Sequence, residues 1–392
     1  MTVQLLSYVR AITPDRTIDD ATVAIEDGRI VGVEPNARYQ GAFDGRGAFC
    51  LPGLIDTHCD AIEREISPRP TAVFDIEFAL RSLEQRFLGA GITTAYHGVS
   101  FADDMGGTRS ITQALALVDI IAARRAERPR LDHHPLLRVQ ARTARSAELA
   151  GSCLAKSGDG QVLLSFEDHT PGQGQYRDLE KFKEVMRLAR DGDDGPDPDA
   201  DIARRLDAAK ETLPIRQANL SQVEGLAARG EVRLLAHDCV DDCEIEEARR
   251  RGASVAEFPV TIEAARAARE RGMPVVVGAP NVLLGGSHSG NVSAEDVIAA
   301  GLCTGLASDY LPPSMLAAAF DLARRAVIDL PTAIGLVTSG PAQVAGCPDR
   351  GRLVPGAPAD LILATVEGRW PRVLSVVSDT SGDLAPLLAL VH

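Results

Sequence analysis

Long apolar runs are missing from this 392-residue chain: no window approaches the roughly 18 uninterrupted apolar residues of a membrane-spanning helix. The opening Met1-Thr2-Val3-Gln4 starts neither a basic leader nor a cleavage site, so a cytoplasmic protein is expected. Positive charge is also short. There are 41 Lys and Arg against 55 Asp and Glu, a formal net charge of −14. Nucleic acid and anionic membranes reward a net positive field through counterion release, so neither is an expected partner. A small anionic substrate stays open, provided that arginines gather locally. The seven cysteines are odd in number and lack a paired short-spacing framework, which argues against a disulfide scaffold and for reduced thiols. Cys239 and Cys243 are only two thiols, short of a structural zinc ligand set, and their spacing is read as coincidence.

What the chain has is length and apolar content: 45% hydrophobic residues suffice for a large core. From Val3 to about Cys50, short β-like runs alternate with turns, and Val23 to Val33 reads as a hairpin about Asp27-Gly28. The stretch from Gly351 to Ala364 has the same texture. Residues 1–50 and 350–392 are therefore expected to form one small β-sandwich domain. Residues 51–349 differ: short β-branched runs end in polar residues and alternate with Ala-, Arg- and Glu-rich helical segments. Eight strands are expected, at Leu54 to His58, Thr93 to Gly98, Leu137 to Arg142, Val162 to Glu167, Arg233 to His237, Ser254 to Phe258, Pro274 to Gly278 and Gly305 to Asp309. Eight β/α units predict a closed (β/α)8 barrel of the α/β class. Asp191 to Asp201 reads as an exposed loop, and His133-His134 as a turn at the barrel bottom.

Active sites of such barrels lie at the C-terminal ends of the strands, so the closing residues are the ones that matter. His58 and Asp60 close the first strand and, two apart, point the same way, offering a nitrogen and an oxygen to one divalent ion. Glu167 and His169 close the fourth, His237 the fifth, Glu257 the sixth and Asp309 the eighth. Asp238 is placed to fix one tautomer of a liganding His237. Glu257 reads equally as a ligand or as an orienting group. The run Gly285-Gly286-Ser287-His288-Ser289-Gly290-Asn291 brings backbone N–H groups and hydroxyls close to an anion. Arg69, between two prolines, offers a planar fork suited to phosphate.

Leu51-Pro52-Gly53-Leu54-Ile55-Asp56-Thr57-His58 and Ala307-Ser308-Asp309 resemble the opening and closing signatures of the amidohydrolase superfamily. Within it, the chain is similar to the diphosphatases of the phosphonate (C–P lyase) pathway. The similarity is carried by His58-Cys59-Asp60, Ser67-Pro68-Arg69-Pro70, Gly91-Ile92-Thr93-Thr94, Asp168-His169-Thr170-Pro171-Gly172-Gln173, Ala256-Glu257-Phe258-Pro259, Gly278-Ala279-Pro280-Asn281, the Gly-Gly-Ser-His run and Ser308-Asp309-Tyr310. It implies a metal-dependent hydrolase that releases diphosphate from a ribose 5-triphosphate ester. The implied ligands of one or two divalent ions, zinc first and manganese or iron otherwise, are His58, Asp60, His169, His237 and Asp309, with Glu167 as bridge. Asp309 would take the proton from the attacking water. Arg69, Arg142, Ser287, His288 and Asn291 would hold the substrate, His288 also serving in catalysis. A homodimer is the default assembly.

The chain departs from that pattern at Ala61, Arg142 and Leu284, where the resemblance implies Asn, a carboxylate ending the third strand, and Arg. His97 likewise replaces an acidic residue. One reading is compensation, with the lost third-strand carboxylate replaced by Glu167 on the fourth. The other is a changed substrate, including hydrolysis of a C–N bond in a cyclic amide or amino-heterocycle.

Overall fold

The computed structural model describes residues 3–35, 39–69, 71–103, 109–158, 161–188, 197–287 and 290–377. Five strands come first: β1 (Gln4–Ile12), β2 (Thr17–Glu26), β3 (Arg29–Pro35), β4 (Phe43–Asp44) and β5 (Phe49–Pro52). The β2–β3 hairpin turns on Asp27 and Gly28, with φ of 49° and 72°. That left-handed pair matches the twist of the flanking strands, which is why Asp-Gly predicts it. Eight barrel strands follow: β6 (Leu54–Cys59), β7 (Ile92–Phe101), β8 (Asp132–Gln140), β9 (Val162–Glu167), β10 (Val232–His237), β11 (Ala253–Glu257), β12 (Val275–Gly278) and β13 (Gly305–Ala307). The chain ends its described part with β14 (Leu361–Glu367) and β15 (Trp370–Val377).

Each barrel strand pairs in parallel with the next, from β6 to β13. Closure comes from a bridge between Cys59 and Asp309, supported by Asp309 N–H donating to His58 O at 2.9 Å and Asp60 N–H to Asp309 O at 2.5 Å. One buried cluster fills the interior: Tyr96, Leu136, Leu163, Leu235, Val255, Val276 and Ala307, one residue from each of β7 to β13. It is a packed plug, as in other eight-stranded barrels. The second and larger cluster lies between strands and helices.

The terminal strands form a seven-stranded sheet in the order β15-β14-β5-β1-β2-β3, with β4 beside β1. β5 enters directly into β6 and pairs with both β1 and β14, so the sheet is tied to the barrel entrance. Ile362 of β14 is fully buried and belongs to the barrel-side core.

Three expectations are corrected. The third barrel strand runs Asp132–Gln140, starting earlier and stopping two residues before Arg142. His133 and His134 belong to that strand rather than to a turn, and His133 is fully buried. Of the segment 191–201, residues 191–196 lie outside the described residues, while 198–201 open the helix Pro198–Glu211. Among the described residues, no helix is long and apolar enough to cross a membrane.

Candidate metal centre and its two cavities

Side chains alternate along a strand, so the residue two beyond each plug residue also points inward. Two past Tyr96, Leu136, Leu163, Leu235, Val255, Val276 and Ala307 stand Gly98, Arg138, Ser165, His237, Glu257, Gly278 and Asp309. With His58 of β6 and Asp60 just after it, this layer is the floor of the site. The next inward positions are Gln140 on β8 and Glu167 on β9, which are register partners.

Buried His58 meets Glu257 Oε1 through Nδ1 at 2.9 Å, and its Nε2 lies 3.5 Å from Asp60 Oδ1. Glu257 is held in turn by the Ser165 hydroxyl, which donates to Oε2 at 3.0 Å. If Nδ1 donates to Glu257, Nε2 presents its lone pair toward Asp60 and Asp309, the arrangement that orients a liganding imidazole. His237 is set likewise, its Nδ1 3.1 Å from Asp238 Oδ2 and its Nε2 3.9 Å from Glu167 Oε1. His169 Nε2 lies 3.9 Å from the other Glu167 oxygen. Three groups bring ligand atoms within 4.8 Å of one another: His58, Asp60 and Asp309; His58, His237 and Glu257; and His169, His237 and Asp238. Imidazole nitrogens and carboxylates at that spacing, with the far ring nitrogens of His58 and His237 engaged, fit a divalent cation.

Three residues at this layer have left-handed backbone without being glycine: Asp238 (φ 57°), Phe258 (φ 52°) and Asp309 (φ 57°). Asp238 and Phe258 directly follow the inward residues His237 and Glu257, and Asp309 is itself the inward residue after β13. Such conformations cost on the order of 1–3 kcal/mol and collect where function requires them.

Arg138 is the residue that the sequence reading missed. Its Nη1 donates to Asp60 Oδ1 at 2.6 Å, its Nε to Glu167 Oε1 at 2.7 Å and its Nη2 to Glu167 Oε2 at 3.0 Å. Gln140 Nε2 adds a bond to Glu167 Oε2 at 2.8 Å. Glu167 therefore stands inside an arginine fork as well as facing two histidines. Burial works against charge on both acids, yet Arg138 and the histidines outweigh it and hold Asp60 and Glu167 well below the usual carboxylate range. A signal was available: an arginine at the same parity as Leu136, directly after the apolar run Pro135-Leu136-Leu137, has to meet an anion. Placing the strand end at Arg142 hid it. β8 ends at Gln140, whose amide bonds to the carboxylate of the neighbouring strand, and Arg142, where the resemblance implies a carboxylate, lies two residues past that end.

The other expected site residues divide. Ser287 and Asn291 line a cavity of about 170 Å³ over the His58, His237 and Asp309 side of the floor. Arg142 lines a second, of about 600 Å³, where it donates to Asp168 Oδ1 at 2.9 Å and to the Thr170 hydroxyl at 2.7 Å. Arg69 is exposed, in a turn bridged to Ala72, and lines neither of these cavities. His288 lies outside the described residues. Ala61 is buried and Leu284 is exposed. His97 points outward to the helix layer, buried against Phe87, with Nε2 2.9 Å from His133 Nδ1.

No family model matches the chain. It is 31% identical over 374 residues to alpha-D-ribose 1-methylphosphonate 5-triphosphate diphosphatase of Escherichia coli (strain K12), covering 92% of this chain and 94% of that protein. The chain belongs to this diphosphatase family. Diphosphatases are hydrolases, and so is this protein. Solved structures agree on the fold. A crystal structure of an amidohydrolase aligns over 97% of this chain and 98% of its own, with a TM-score of 0.58 at 18% identity. The 5-methylcytosine deaminase of Klebsiella pneumoniae, liganded with phosphonocytosine, aligns over 96% and 97%, with a TM-score of 0.62 at 15% identity. For this member of the diphosphatase family, the barrel and the terminal sheet are thus those of amidohydrolases.

Proposed function

We propose that the protein hydrolyses alpha-D-ribose 1-methylphosphonate 5-triphosphate to the 5-phosphate and diphosphate. The observation that carries this reading is the His58–Asp60–Asp309 cluster at the junction of the two cavities, in a chain so similar to a diphosphatase of that name. In the reaction, water oxygen bonds to the phosphorus nearest the ribose. The bond from that phosphorus to the next bridging oxygen breaks, and its electron pair leaves on diphosphate.

His58, Asp60 and Asp309 would hold one divalent ion, and His169 and His237 a second, with Glu167 between them; zinc is the first choice, manganese or iron the others. When bound, such ions supply an acidified water and positive charge for the phosphoryl oxygens. The remaining work falls to the chain. Asp309 accepts the proton of the attacking water. Glu257 holds the His58 ring through Nδ1, and Asp238 holds His237. Arg138 fixes Asp60 and Glu167 relative to each other, so both carboxylates are in place before substrate arrives.

A second reading, hydrolysis of a C–N bond in a cyclic amide or amino-heterocycle, draws on the smaller cavity. Phe258, Val260, Val277 and Pro280 give it an apolar wall. Phosphorus NMR of the zinc-loaded protein with the triphosphate separates the two. Diphosphate and 5-phosphate in equal amounts, with turnover at least a hundredfold lower in Asp309→Asn, are the expected outcome. Turnover of a cyclic amide without diphosphate release would replace the proposal with the second reading.

A further inference from the structure

The two cavities share a wall made by Asp60, Arg138, His169 and Gln175. Beyond it they differ in charge. The smaller adds Asp238 and Asp309 and, among the described residues, no Lys or Arg. The larger adds Arg109, Arg142 and Arg205 against Glu167 and Asp168. In a chain of net charge −14, three further guanidinium groups gather on one side of the centre.

Each of these arginines is anchored to a carboxylate, and Arg142 also donates through Nη1 to Ala209 O at 2.5 Å. Nε and Nη2 of Arg109 donate to Glu63 at 2.8 Å each, Nε of Arg142 to Asp168 at 2.9 Å and Nε of Arg205 to Asp201 at 2.8 Å. A guanidinium has five N–H donors, so an anchored edge leaves others to turn to a ligand while the fork is already fixed. That preorganisation lowers the entropy cost of binding an anion. The cavity, at about 600 Å³, has room for a ligand group of several heavy atoms.

We propose that this arginine-lined cavity, between the β8 and β9 ends and the helix Pro198–Glu211, seats the polyanionic leaving end of the substrate as diphosphate. The smaller cavity then takes the sugar end, and the phosphorus under attack sits at the shared wall. The anion site thus lies across the barrel mouth from the glycine-rich run after β12, to which sequence alone points. The identity of the anion rests on the diphosphatase reading above; its location rests on the three arginines that line the cavity.

Titration calorimetry of the zinc-loaded protein with inorganic diphosphate tests this, with metal content measured before and after. Arg109→Gln and Arg205→Gln are each expected to weaken binding at least tenfold, the loss of one charge-assisted contact. Arg205→Lys should recover part of it, and Asn291→Ala in the smaller cavity should leave it unchanged. The Arg205 side chain is 49% exposed, so its variants should fold. Unaltered binding in both arginine variants, or a loss confined to Asn291→Ala, overturns the assignment. Arginine-dependent diphosphate binding by a protein that leaves the triphosphate intact keeps the cavity and rejects the proposed reaction. Hydrolysis with arginine-independent binding does the reverse.

Discussion

Glu167 serves two demands at once. The Arg138 fork and the Gln140 amide bring three N–H donors to its oxygens, while His169 and His237 each stand 3.9 Å away on the other side. A carboxylate has about four lone-pair directions, so one ion can be held beside these three donors and a second requires one of them to give way. If it is shared between two ions, Glu167→Gln removes the charge that offsets both and keeps the shape. Metal content should then fall from about two to about one per chain. Elemental analysis of the purified variant decides the matter. Unchanged content would assign Glu167 to holding Arg138 alone, as the anion that a buried guanidinium requires.

At the scale of elements, the strands determine the site through spacing and through one empty place. Gly98 of β7 faces the floor of the site, and a Cβ there would lie 2.3 Å from Asp60 Oδ1 and 3.2 Å from Arg138 Cδ. Its backbone is ordinary strand, so the need for glycine comes from that close approach and not from φ. Gly98→Ala is expected to move Asp60 or Arg138 while β7 stays paired on both sides. Overpacking of this kind costs roughly 1–3 kcal/mol of stability, but a misplacement of an ångström at reacting groups can cost on the order of a hundredfold in rate. Denaturant unfolding and turnover measured together should therefore diverge, with a modest stability loss and a large activity loss. Full activity in this variant would mean that the Asp60–Arg138 contact is dispensable.

For the molecule as a whole, the centre makes stability depend on pH when metal is absent. Burial disfavours the charged His237 ring, but Asp238 and Glu167 outweigh it and raise its pKa to about 9 from an ordinary 6.5. A pKa raised by folding contributes stability that is fully present below the unfolded value and is lost as pH climbs through the folded one. The metal-free protein should accordingly lose thermal stability between about pH 6.5 and 9. Divalent ions require a neutral imidazole, so loading at neutral pH should release protons. Melting temperatures across that pH window, with and without zinc, check both statements. A flat profile for the metal-free protein would contradict the raised value.

The architecture was legible in the sequence because strands and helices carry different periods of apolar residues, and because the residues that close the strands are polar where the next inward layer begins. All eight strands could be placed near their positions, and the Asp27-Gly28 turn followed from backbone preference alone. Likewise His58, Asp60, Glu167, His237, Glu257 and Asp309 stood out as strand-closing residues, since a β-strand ending fixes which way its last side chain points. What the sequence could not determine is which groups meet across strands. Arg138 meets Asp60 and Glu167 across 78 and 29 residues of chain, so their pairing exists only once β6, β8 and β9 lie side by side. The same holds for the gathering of Arg109, Arg142 and Arg205 about one cavity. Periodicity is a local property and is written in neighbouring residues. Charge pairing in the barrel mouth depends on strand register and closure, which only the tertiary structure decides.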